Sequence, residues 1–295
     1  MGTTFKKLHR FFVAEASRVD LRDVRDDAEL ETIRQAMDRY AVLVFRGQQF
    51  SSDEQLAFAT RFDGTLHRKT GISVLQPSRF GDEALTDVSN VSADGEVLGV
   101  GARQRSYVLA NRLWHTDASF QDPRGRYSML AALVVPPVAA DTEFADMRTA
   151  YDTLPETKRA GLEGLRVHHS IAYSRQTLGF EFSAEEGDRL KGATHPLLLL
   201  NPRNGRHSLY LASHASRIVD RPVADGRLLL RDLMEHATRP EFVYRHSWRE
   251  GDFVIWDNRA TMHRARPFED TVHRREMRRV TTLDVGDPSR VAQPA

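Results

Sequence analysis

The sequence predicts a mainly β fold with helices packed around it. Short apolar runs bounded by turn residues dominate the second half of the 295-residue chain, and helical patterns lie between or outside them. The sequence contains no glycine pattern of a Rossmann or P-loop fold, no nucleophile elbow and no internal repeat. A chain of this length fits two average domains, or one large β-sandwich or barrel with insertions.

The N-terminal part predicts a helix, a buried strand and a second helix. Residues 28–40 repeat apolar side chains at helical spacing, and residues 41–45 form a continuous apolar run. Ser52 begins the second helix, Gln55 completes a capping box three residues later, and Asp63-Gly64 ends the helix.

Residues 66–110 break this pattern. Gly, Ser, Asp and Asn are frequent there, apolar runs are short, and only residues 88–91 have a clear strand pattern. Long irregular segments inside compact domains often serve as lids or binding loops. We therefore predict that this segment is a mobile cover near the functional site.

The rest of the chain predicts strands with helices between them. A turn at residues 201–205, between two apolar runs, is a strong hairpin signal. The predicted helices cover 147–154, 155–165 and 223–237. The predicted strands cover 128–135, 142–144, the weakly alternating 167–173, 195–200, 208–211, 242–248, 253–256 and 279–285.

The composition excludes several classes of protein. Hydrophobic residues make up 40% and charged residues 28%, which is typical of a globular protein. A net charge of +1 gives no electrostatic case for binding nucleic acid or anionic lipid. The chain has no cysteine, so any metal must bind His, Asp or Glu. No secretory signal core or membrane-spanning run is present, so we expect a cytoplasmic enzyme.

His115 and Asp117 are the first candidate metal ligands. In an extended segment, residues two apart project to the same face, so the imidazole and the carboxylate would point together. With a distant second histidine, this is the pattern of a two-histidine, one-carboxylate iron(II) site. The pair alone is not specific, because 12 histidines and 41 acidic residues predict about 1.7 such pairs by chance.

His263 and two arginines are candidates for the remaining parts of such a site. His263 follows the strand at 253–256, although a histidine that only forms a hydrogen bond at a strand end is the commoner case. If the last strand extends back through residue 277, then Arg275 and Arg279 share one face of it. Two buried arginines would need anions, and a guanidinium group binds carboxylates in bidentate fashion. The alternative for this basic run is a solvated edge.

Together, the His115-x-Asp117 pair, His263, and Arg275 twelve residues later resemble the TauD/TfdA family of iron(II)- and 2-oxoglutarate-dependent dioxygenases. The resemblance runs from the strand at 41–47 to the C-terminal Arg-Arg-Val-Thr-Thr-Leu-Asp segment. It is especially close to the branch that cleaves aryloxyacetates over residues 111–120, 235–238, 241–244, 256–259 and 274–284.

The resemblance implies a role for each matching metal and cosubstrate residue. His115, Asp117 and His263 would bind Fe(II). Arg275 and Thr142 would bind the distal carboxylate of 2-oxoglutarate, and Thr142 lies 25 residues beyond Asp117, as the family pattern requires. O2 would be the second cosubstrate.

The resemblance also implies a substrate side. Arg279 would bind the acid group of the primary substrate, and Asn111 matches a position that lines the substrate. His214 matches a histidine thought to contact the substrate carboxylate, and a purely structural histidine is an equal alternative there.

The implied fold is a double-stranded β-helix, a jelly-roll barrel with helices outside it. It would form one dioxygenase domain over residues 1–295, with the segment 66–110 as a lid-like insertion. Two departures leave local loop geometry open. Ala139-Ala140 replaces a usual Gly-Gly pair, and Arg18 stands where many relatives have Gly.

The implied reaction is hydroxylation of an aryloxyacetate at the carbon between the ether oxygen and the carboxylate. Its products are a phenol, glyoxylate, succinate and CO2. The alternative within the family is a taurine, alkylsulfonate or sulfate-ester dioxygenase. A zinc hydrolase would leave the two arginines unexplained, and a cupin-like binding module would show no turnover. The expected partner is a small-molecule aryl carboxylate, with no nucleic acid or membrane, and the chain is expected to form a homo-oligomer.

Overall fold

The computed structural model describes residues 2–68 and 79–285, which form fifteen β-strands and eight α-helices. The strands are β1 (Thr4–Lys7), β2 (Ala14–Ser17), β3 (Val42–Phe45), β4 (Leu85–Asp87), β5 (Gly125–Val134), β6 (Thr142–Asp146), β7 (Arg166–His169), β8 (Ala193–Pro196), β9 (Leu198–Leu200), β10 (His207–Leu209), β11 (Ala215–Ile218), β12 (Val243–His246), β13 (Phe253–Asp257), β14 (Thr261–Ala265) and β15 (Glu276–Leu283). The helices are α1 (Asp27–Tyr40), α2 (Ser52–Asp63), α3 (Arg103–Val108), α4 (Met147–Asp152), α5 (Glu156–Ala160), α6 (Ile171–Gln176), α7 (Ala184–Arg189) and α8 (Val223–Ala237). Short 3-10 turns cover Leu109–Arg112 and Pro240–Phe242.

The described strands form four sheets. The largest has seven strands in the order β1-β2-β3-β13-β5-β15-β4, and every neighbouring pair is antiparallel except β2 and β3. A three-stranded sheet, β12-β6-β14, packs against it. A second three-stranded sheet has the order β11-β7-β8, and β9 pairs with β10 as a hairpin. The coarse prediction of a mainly β fold with flanking helices is therefore confirmed.

Strand β3 of the large sheet is apolar and buried on both faces. Alternate side chains project to opposite faces of a strand, so Leu43 and Phe45 of β3 pack towards α1 and α2. Val42 and Val44 project the other way, into a second core against the β12-β6-β14 sheet. Burial on both faces explains why this strand reads as a continuous apolar run.

The small sheet β12-β6-β14 is also buried on both faces. Phe144 of β6 faces the large sheet, where its ring lies 5.5 Å from that of Trp256. Ala145 of β6 and Met262 of β14 face the other way, into a third core with α4 and α8. The functional candidates lie on the inner face, between the two sheets.

Successive side chains of strand β15 project to opposite faces of the sheet, so its arginines lie in two different environments. Arg278 faces α2, where its Nε donates to Gln55 Oε1 at 2.7 Å, while Gln55 Nε2 donates to the carbonyls of Arg278 and Met129 at 3.1 Å each. Arg275 and Arg279 face the opposite side and line one cavity. The prediction that these two arginines share a face is confirmed, because β15 does extend back through Met277.

Several predicted elements are confirmed, with small shifts in their ends. The helices at 28–40 and 223–237 correspond to α1 and α8, and the turn at 201–205 joins the β9-β10 hairpin. The strand predicted at 128–135 begins three residues earlier, at Gly125.

Three details of the predicted elements are wrong. The capping box of α2 uses Ser51 and Glu54 instead of Ser52 and Gln55, because Ser51 has the extended backbone that a cap requires. The predicted strand at 167–173 ends at His169, and α6 begins at Ile171 because Ser170 caps that helix. Strand β14, which carries His263, was not predicted.

The segment predicted to be a cover is only partly described, because residues 69–78 lie outside the described ranges. The described part forms β4 at Leu85–Asp87, three residues before the predicted strand, together with α3 and the turn Leu109–Arg112. Val88, Asn90, Val108 and Asn111 line the same cavity as Arg275. Described residues of the segment therefore form part of the wall of this cavity.

Among the described helices, none combines the length and the apolar character that a membrane crossing needs.

Replacing Gln55 with Leu should destabilise the protein by about 2–3 kcal/mol. The change removes the acceptor of Arg278 Nε and one donor to each of two buried carbonyls, and an unpaired buried group has a desolvation cost of about 1–3 kcal/mol. Urea unfolding would measure the loss. Gln35 is exposed on α1, so Gln35→Leu should change the free energy of unfolding by about 0.5 kcal/mol or less. Equal losses in the two variants would contradict the role of the buried network.

Candidate functional site

His115 and His263 are brought together by their own backbones. The His115 N–H donates to the carbonyl of His263 at 2.9 Å, and the His263 N–H donates to the carbonyl of His115 at 2.9 Å. This antiparallel bridge places the two side chains opposite each other, with ring centroids 4.2 Å apart. Residues separated by nearly half of the chain thus share one site.

Asp117 completes a cluster of three potential metal ligands. His115 Nε2 lies 3.9 Å from Asp117 Oδ1, and His263 Nε2 lies 3.6 Å from Asp117 Oδ2. One ligand atom of each residue lies within 4.8 Å of the others, and all three side chains are buried. The structure therefore brings the three predicted ligands together.

A network of hydrogen bonds and a tight turn hold Asp117 in position. The Asp117 N–H donates to Asn258 Oδ1 at 3.1 Å, and Ser128 Oγ donates to Asp117 Oδ2 at 2.7 Å. Asn258 Nδ2 donates to Ser128 Oγ at 2.9 Å, which closes the network. The chain then turns at Ala118, whose φ of 53° lies in the left-handed region.

The charge state of the cluster suits a divalent cation. Burial lowers the pKa of His115 to about 4 and holds the pKa of His263 well below its ordinary value. Burial would raise the pKa of Asp117, but the Arg279 cation and the two imidazoles outweigh it and lower that pKa to about 2. At neutral pH the cluster therefore offers two neutral imidazoles and one carboxylate.

The imidazole hydrogen bonds also fit a metal site. His115 Nδ1 donates to the Leu113 carbonyl at 2.8 Å, which leaves the Nε2 lone pair facing the cluster. His263 Nδ1 is buried with no hydrogen-bond partner among the described residues, while its Nε2 faces Asp117. Two imidazoles and one carboxylate are the donors of a facial iron(II) site, so these residues fit such an ion.

A cavity of about 100 Å³ connects the cluster to the other predicted residues. Its lining includes Asn111, His115, Thr142, His263, Arg275 and Arg279. Six of the residues predicted to bind the metal, the cosubstrate or the substrate therefore line one cavity. Apolar side chains, among them Val88, Val108, Leu109 and Phe268, form another part of the wall.

Arg275 is a buried cation with few hydrogen-bond partners among the described residues. Its side chain makes one hydrogen bond to the described residues, from NH1 to the Val88 carbonyl at 3.5 Å. Burial lowers the pKa of Arg275 to about 10, which shows that its surroundings disfavour the charge. Thr142, across the same cavity, accepts a hydrogen bond from Trp248 Nε1 at 2.9 Å. An anionic ligand would compensate the charge of Arg275.

Arg279 occupies a different environment. Its NH1 donates to Asp117 Oδ1, so this guanidinium group is paired with one of the predicted metal ligands. Its Nε is buried without a hydrogen-bond partner among the described residues. Part of the group therefore remains able to bind another anion.

His214 lies beside the cluster but does not line the cavity. Its ring centroid is 6.1 Å from that of His115, and Ser119 lies 3.0 Å from its Nδ1. Its Nε2 accepts from Arg175 NH1 at 3.4 Å. The position is compatible with both sequence interpretations of this histidine.

Three residues with a part in the site had no assigned role in the sequence analysis. Asn258 and Ser128 hold Asp117, and Arg175 lies beside His214. Asn258 belongs to a segment that carried the family resemblance, so that segment was a usable signal. Ser128 and Arg175 had no such signal, because their roles depend on contacts between distant segments.

The two departures from the family pattern, Ala139-Ala140 and Arg18, leave the predicted site residues in place. Thr142 reaches the cavity although Ala139-Ala140 precedes it. Arg18 adopts a φ of 64°, a backbone conformation that glycine enters more readily. The backbone at position 18 thus keeps a glycine-like conformation with a different residue.

Comparisons with known proteins agree on one family. The sequence model described as "Taurine catabolism dioxygenase TauD, TfdA family" matches residues 4–281. The chain is 47% identical over 284 residues to an alpha-ketoglutarate-dependent 2,4-dichlorophenoxyacetate dioxygenase of Burkholderia sp. (strain RASC), covering 96% of this chain and 95% of that protein.

Two further comparisons give the same result. The enzyme of the same name from Cupriavidus pinatubonensis is 47% identical over 285 residues, covering 96% of this chain and 99% of that protein. The crystal structure of AAD-2 in complex with Mn(II) and N-oxalylglycine is similar over the full length of both chains, with a TM-score of 0.88 and 42% identity.

Replacing Gly125 with Ala should weaken metal binding by disturbing Asp117. A Cβ atom at residue 125 would lie 2.8 Å from the Asp117 carbonyl oxygen, so the backbone that carries the carboxylate would have to move. We expect the Kd for Mn(II) to rise by about tenfold or more, since small displacements of ligand-supporting groups have effects of this size. Isothermal titration calorimetry on the metal-free protein would measure it.

Gly161→Ala is the matched control. A Cβ atom there would lie 3.5 Å from the nearest described atom, which is an ordinary contact. A Gly125→Ala protein that binds Mn(II) as tightly as this control would contradict the proposed dependence on the turn.

Proposed function

Because the chain belongs to the TauD/TfdA family, we propose that it is an iron(II)- and 2-oxoglutarate-dependent dioxygenase that acts on aryloxyacetates. The observation that carries this proposal is the buried His115, Asp117 and His263 cluster at one cavity with Arg275. Relatives 47% identical along nearly the whole chain are 2,4-dichlorophenoxyacetate dioxygenases, which favours an aryloxyacetate substrate.

We propose that the two packed sheets are the halves of a double-stranded β-helix. Among the described residues, no strand pairing joins the seven-stranded sheet to the β12-β6-β14 sheet. The bridge to His115 extends the small sheet next to β14 by one residue. The similarity in fold to AAD-2 supports this arrangement. Such a barrel would bury the ligands between its two faces.

His115, Asp117 and His263 would hold Fe(II), and Arg275 with Thr142 would bind the distal carboxylate of 2-oxoglutarate. The argument for Arg275 is electrostatic, because a buried guanidinium group without a carboxylate partner is stabilised by an anionic ligand. Thr142 Oγ1 already accepts from Trp248, so its own hydroxyl proton is free to be donated to a carboxylate oxygen.

The substrate side of the cavity would combine apolar walls with a cation. Val88, Val108, Leu109 and Phe268 provide apolar surface that suits a flat aromatic ring. Arg279 would attract the acid group, and Asn111 would line the same side. His214, one layer behind the cavity, would support the carboxylate position.

The reaction would convert the aryloxyacetate, O2 and 2-oxoglutarate into a phenol, glyoxylate, succinate and CO2. Iron held by the three ligands would activate O2, and 2-oxoglutarate would take one oxygen atom to give succinate and CO2 while the other enters the C–H bond next to the ether oxygen. The resulting hemiacetal loses the phenol, which takes up the hydroxyl proton as the carbonyl of glyoxylate forms. The protein's contribution is to hold the acid group so that this one carbon faces the metal ligands.

A sulfonate or sulfate-ester substrate is the alternative within the family. An aminosulfonate such as taurine needs polar partners for its ammonium group as well as for its anion. The cavity lining includes one carboxylate, Asp270, but Arg105 and Arg112 already pair with it. The aryloxyacetate proposal is therefore preferred.

Four further properties are proposed from the sequence. The chain would form one dioxygenase domain, and the segment 66–110 would cover the substrate side, which its described residues at the cavity support. A homo-oligomeric state and a cytoplasmic location are predictions that still await measurement.

Arg275→Ala should raise the Kd for 2-oxoglutarate by at least about thirtyfold. Truncating one partner of a closed charge pair costs on the order of 2–5 kcal/mol. Anaerobic titration of the iron(II)-loaded protein, followed by its visible charge-transfer band, would measure the change. Arg274 is half exposed and pairs with Glu276, so Arg274→Ala is the neighbouring control and should have little effect.

If Arg275→Ala lowers the affinity for the primary substrate as much as that for 2-oxoglutarate, the two carboxylate sites have been assigned wrongly.

The substrate class should be tested with a panel of aryloxyacetates and taurine, scored by succinate and by phenol released. We expect phenol from aryloxyacetates and a lower kcat/KM for taurine. Arg279→Ala should depress phenol release more than the slow oxidation of 2-oxoglutarate without substrate, because Arg275 and Thr142 are retained. Taurine turnover at least as efficient as that of every aryloxyacetate would refute the substrate assignment and leave the iron site standing.

A further inference from the structure

Arg175 of α6 is a buried cation whose hydrogen bonds to the described residues all go to neutral groups. The residue is 5% exposed. Its NH1 donates to Ser174 Oγ at 3.0 Å and to His214 Nε2 at 3.4 Å, and its NH2 donates to Asn111 Oδ1 at 3.4 Å. The guanidinium carbon lies 4.7 Å from the centre of the Tyr107 ring. Among the described residues, no carboxylate forms an ion pair with Arg175.

Three other arginines in the interior, apart from Arg275 in the proposed cosubstrate site, are compensated. Arg148 pairs with Asp146 at 2.9 Å, and Arg259 pairs with Asp257 at 2.8 Å. Arg278 has no carboxylate either, but it donates to Gln55, to Ser52 Oγ and to the Phe50 carbonyl at 2.6–3.0 Å. Arg175 differs because its hydrogen bonds to His214 and Asn111 are long, at 3.4 Å each, and its Nε is buried without a hydrogen-bond partner among the described residues.

This arrangement is costly unless an anion joins it. Burial lowers the pKa of Arg175, and the nearby Arg279 cation lowers it further. A buried charge is stabilised when a hydrogen-bonded counter-charge is present. A carboxylate could replace the two weak contacts at 3.4 Å with short charge-assisted hydrogen bonds.

Arg175 is also next to the candidate site. Asn111, which it contacts, lines the cavity, and His214, which it also contacts, lies beside His115. Arg175 and Arg279 are close enough for their charges to interact, so both cations lie in the same region of the protein.

We propose that Arg175 is a specificity-determining residue that binds the carboxylate of the primary substrate, opposite Arg279. The inference rests on the proposed dioxygenase function and adds a residue to its substrate site. Arg275 is reserved for the cosubstrate, and Arg279 is already paired with Asp117. Arg175 has no carboxylate partner among the described residues, and its buried Nε has no hydrogen-bond partner there.

The test compares an aryloxyacetate with the corresponding aryloxyacetamide, which has the same ring and no charge. Their Kd values would be measured anaerobically on the protein loaded with iron(II) and 2-oxoglutarate, from the change in the visible band. The variants are Arg175→Gln, which removes the charge, and Arg175→Lys, which keeps it. Arg189→Gln removes an exposed arginine of α7 and is the control.

Arg175→Gln should reduce the preference for the acid over the amide by at least about thirtyfold, and Arg175→Lys should restore most of it. If Arg175 has only a structural role, both ligands will weaken together and Lys will fail as badly as Gln. If the amide shows no measurable binding, the Kd of the acid in the Gln and Lys variants decides the question. An unchanged preference in a folded Arg175→Gln protein would overturn the inference.

An incorrect assignment of the dioxygenase function would give a different experimental result from an incorrect role for Arg175. In that case the unmodified protein would neither bind an aryloxyacetate nor release a phenol from it. If the unmodified protein does both, and Arg175→Gln keeps its preference for the acid, only the role of Arg175 is wrong.

Discussion

The backbone bridge between His115 and His263 is the constraint on which the site depends. Two reciprocal hydrogen bonds of 2.9 Å bring the tilted imidazole rings to a centroid distance of 4.2 Å. Ordering a residue costs both backbone and side-chain entropy. The bridge fixes the two backbones as the chain folds, so only the side-chain torsions are left to be set at the site. The chain turns at Ala118, directly after Asp117, and the Asp117 carboxylate lies beside both imidazoles.

Charge compensation explains the distribution of arginines around this centre. Arg148 and Arg259 are buried with carboxylates, and Arg278 is buried with a full set of neutral acceptors. These arginines stabilise the fold without a ligand. Arg275 and Arg175 are buried with neither a carboxylate partner nor a full set of short hydrogen bonds to neutral acceptors, and both lie near the three predicted metal ligands. An enzyme that binds two carboxylic acids needs such a pair of uncompensated cations.

Strand β15 shows how one strand serves both purposes. Its alternation sends Arg278 to the helices and Arg279 to the cavity, one residue apart. The large sheet therefore connects the buried network at Gln55 directly to the functional face. A disturbance on the helical side can change the position of Arg279 through the strand itself, since the two side chains share one backbone.

The sequence by itself determined the ligand chemistry and the local pattern. The absence of cysteine restricted metal ligands to His, Asp and Glu, the spacing of His115 and Asp117 indicated a shared face, and the period of two in β15 placed Arg275 and Arg279 together. These features are local, so residue type and spacing are sufficient to predict them. Strand β14, the support of Asp117 by Asn258 and Ser128, the pairing of Arg279 with Asp117, and the uncompensated charge of Arg175 were decided only by the tertiary structure. Each of these depends on which distant segments meet and on what is left unpaired after they pack. Spacing along a chain carries no record of either.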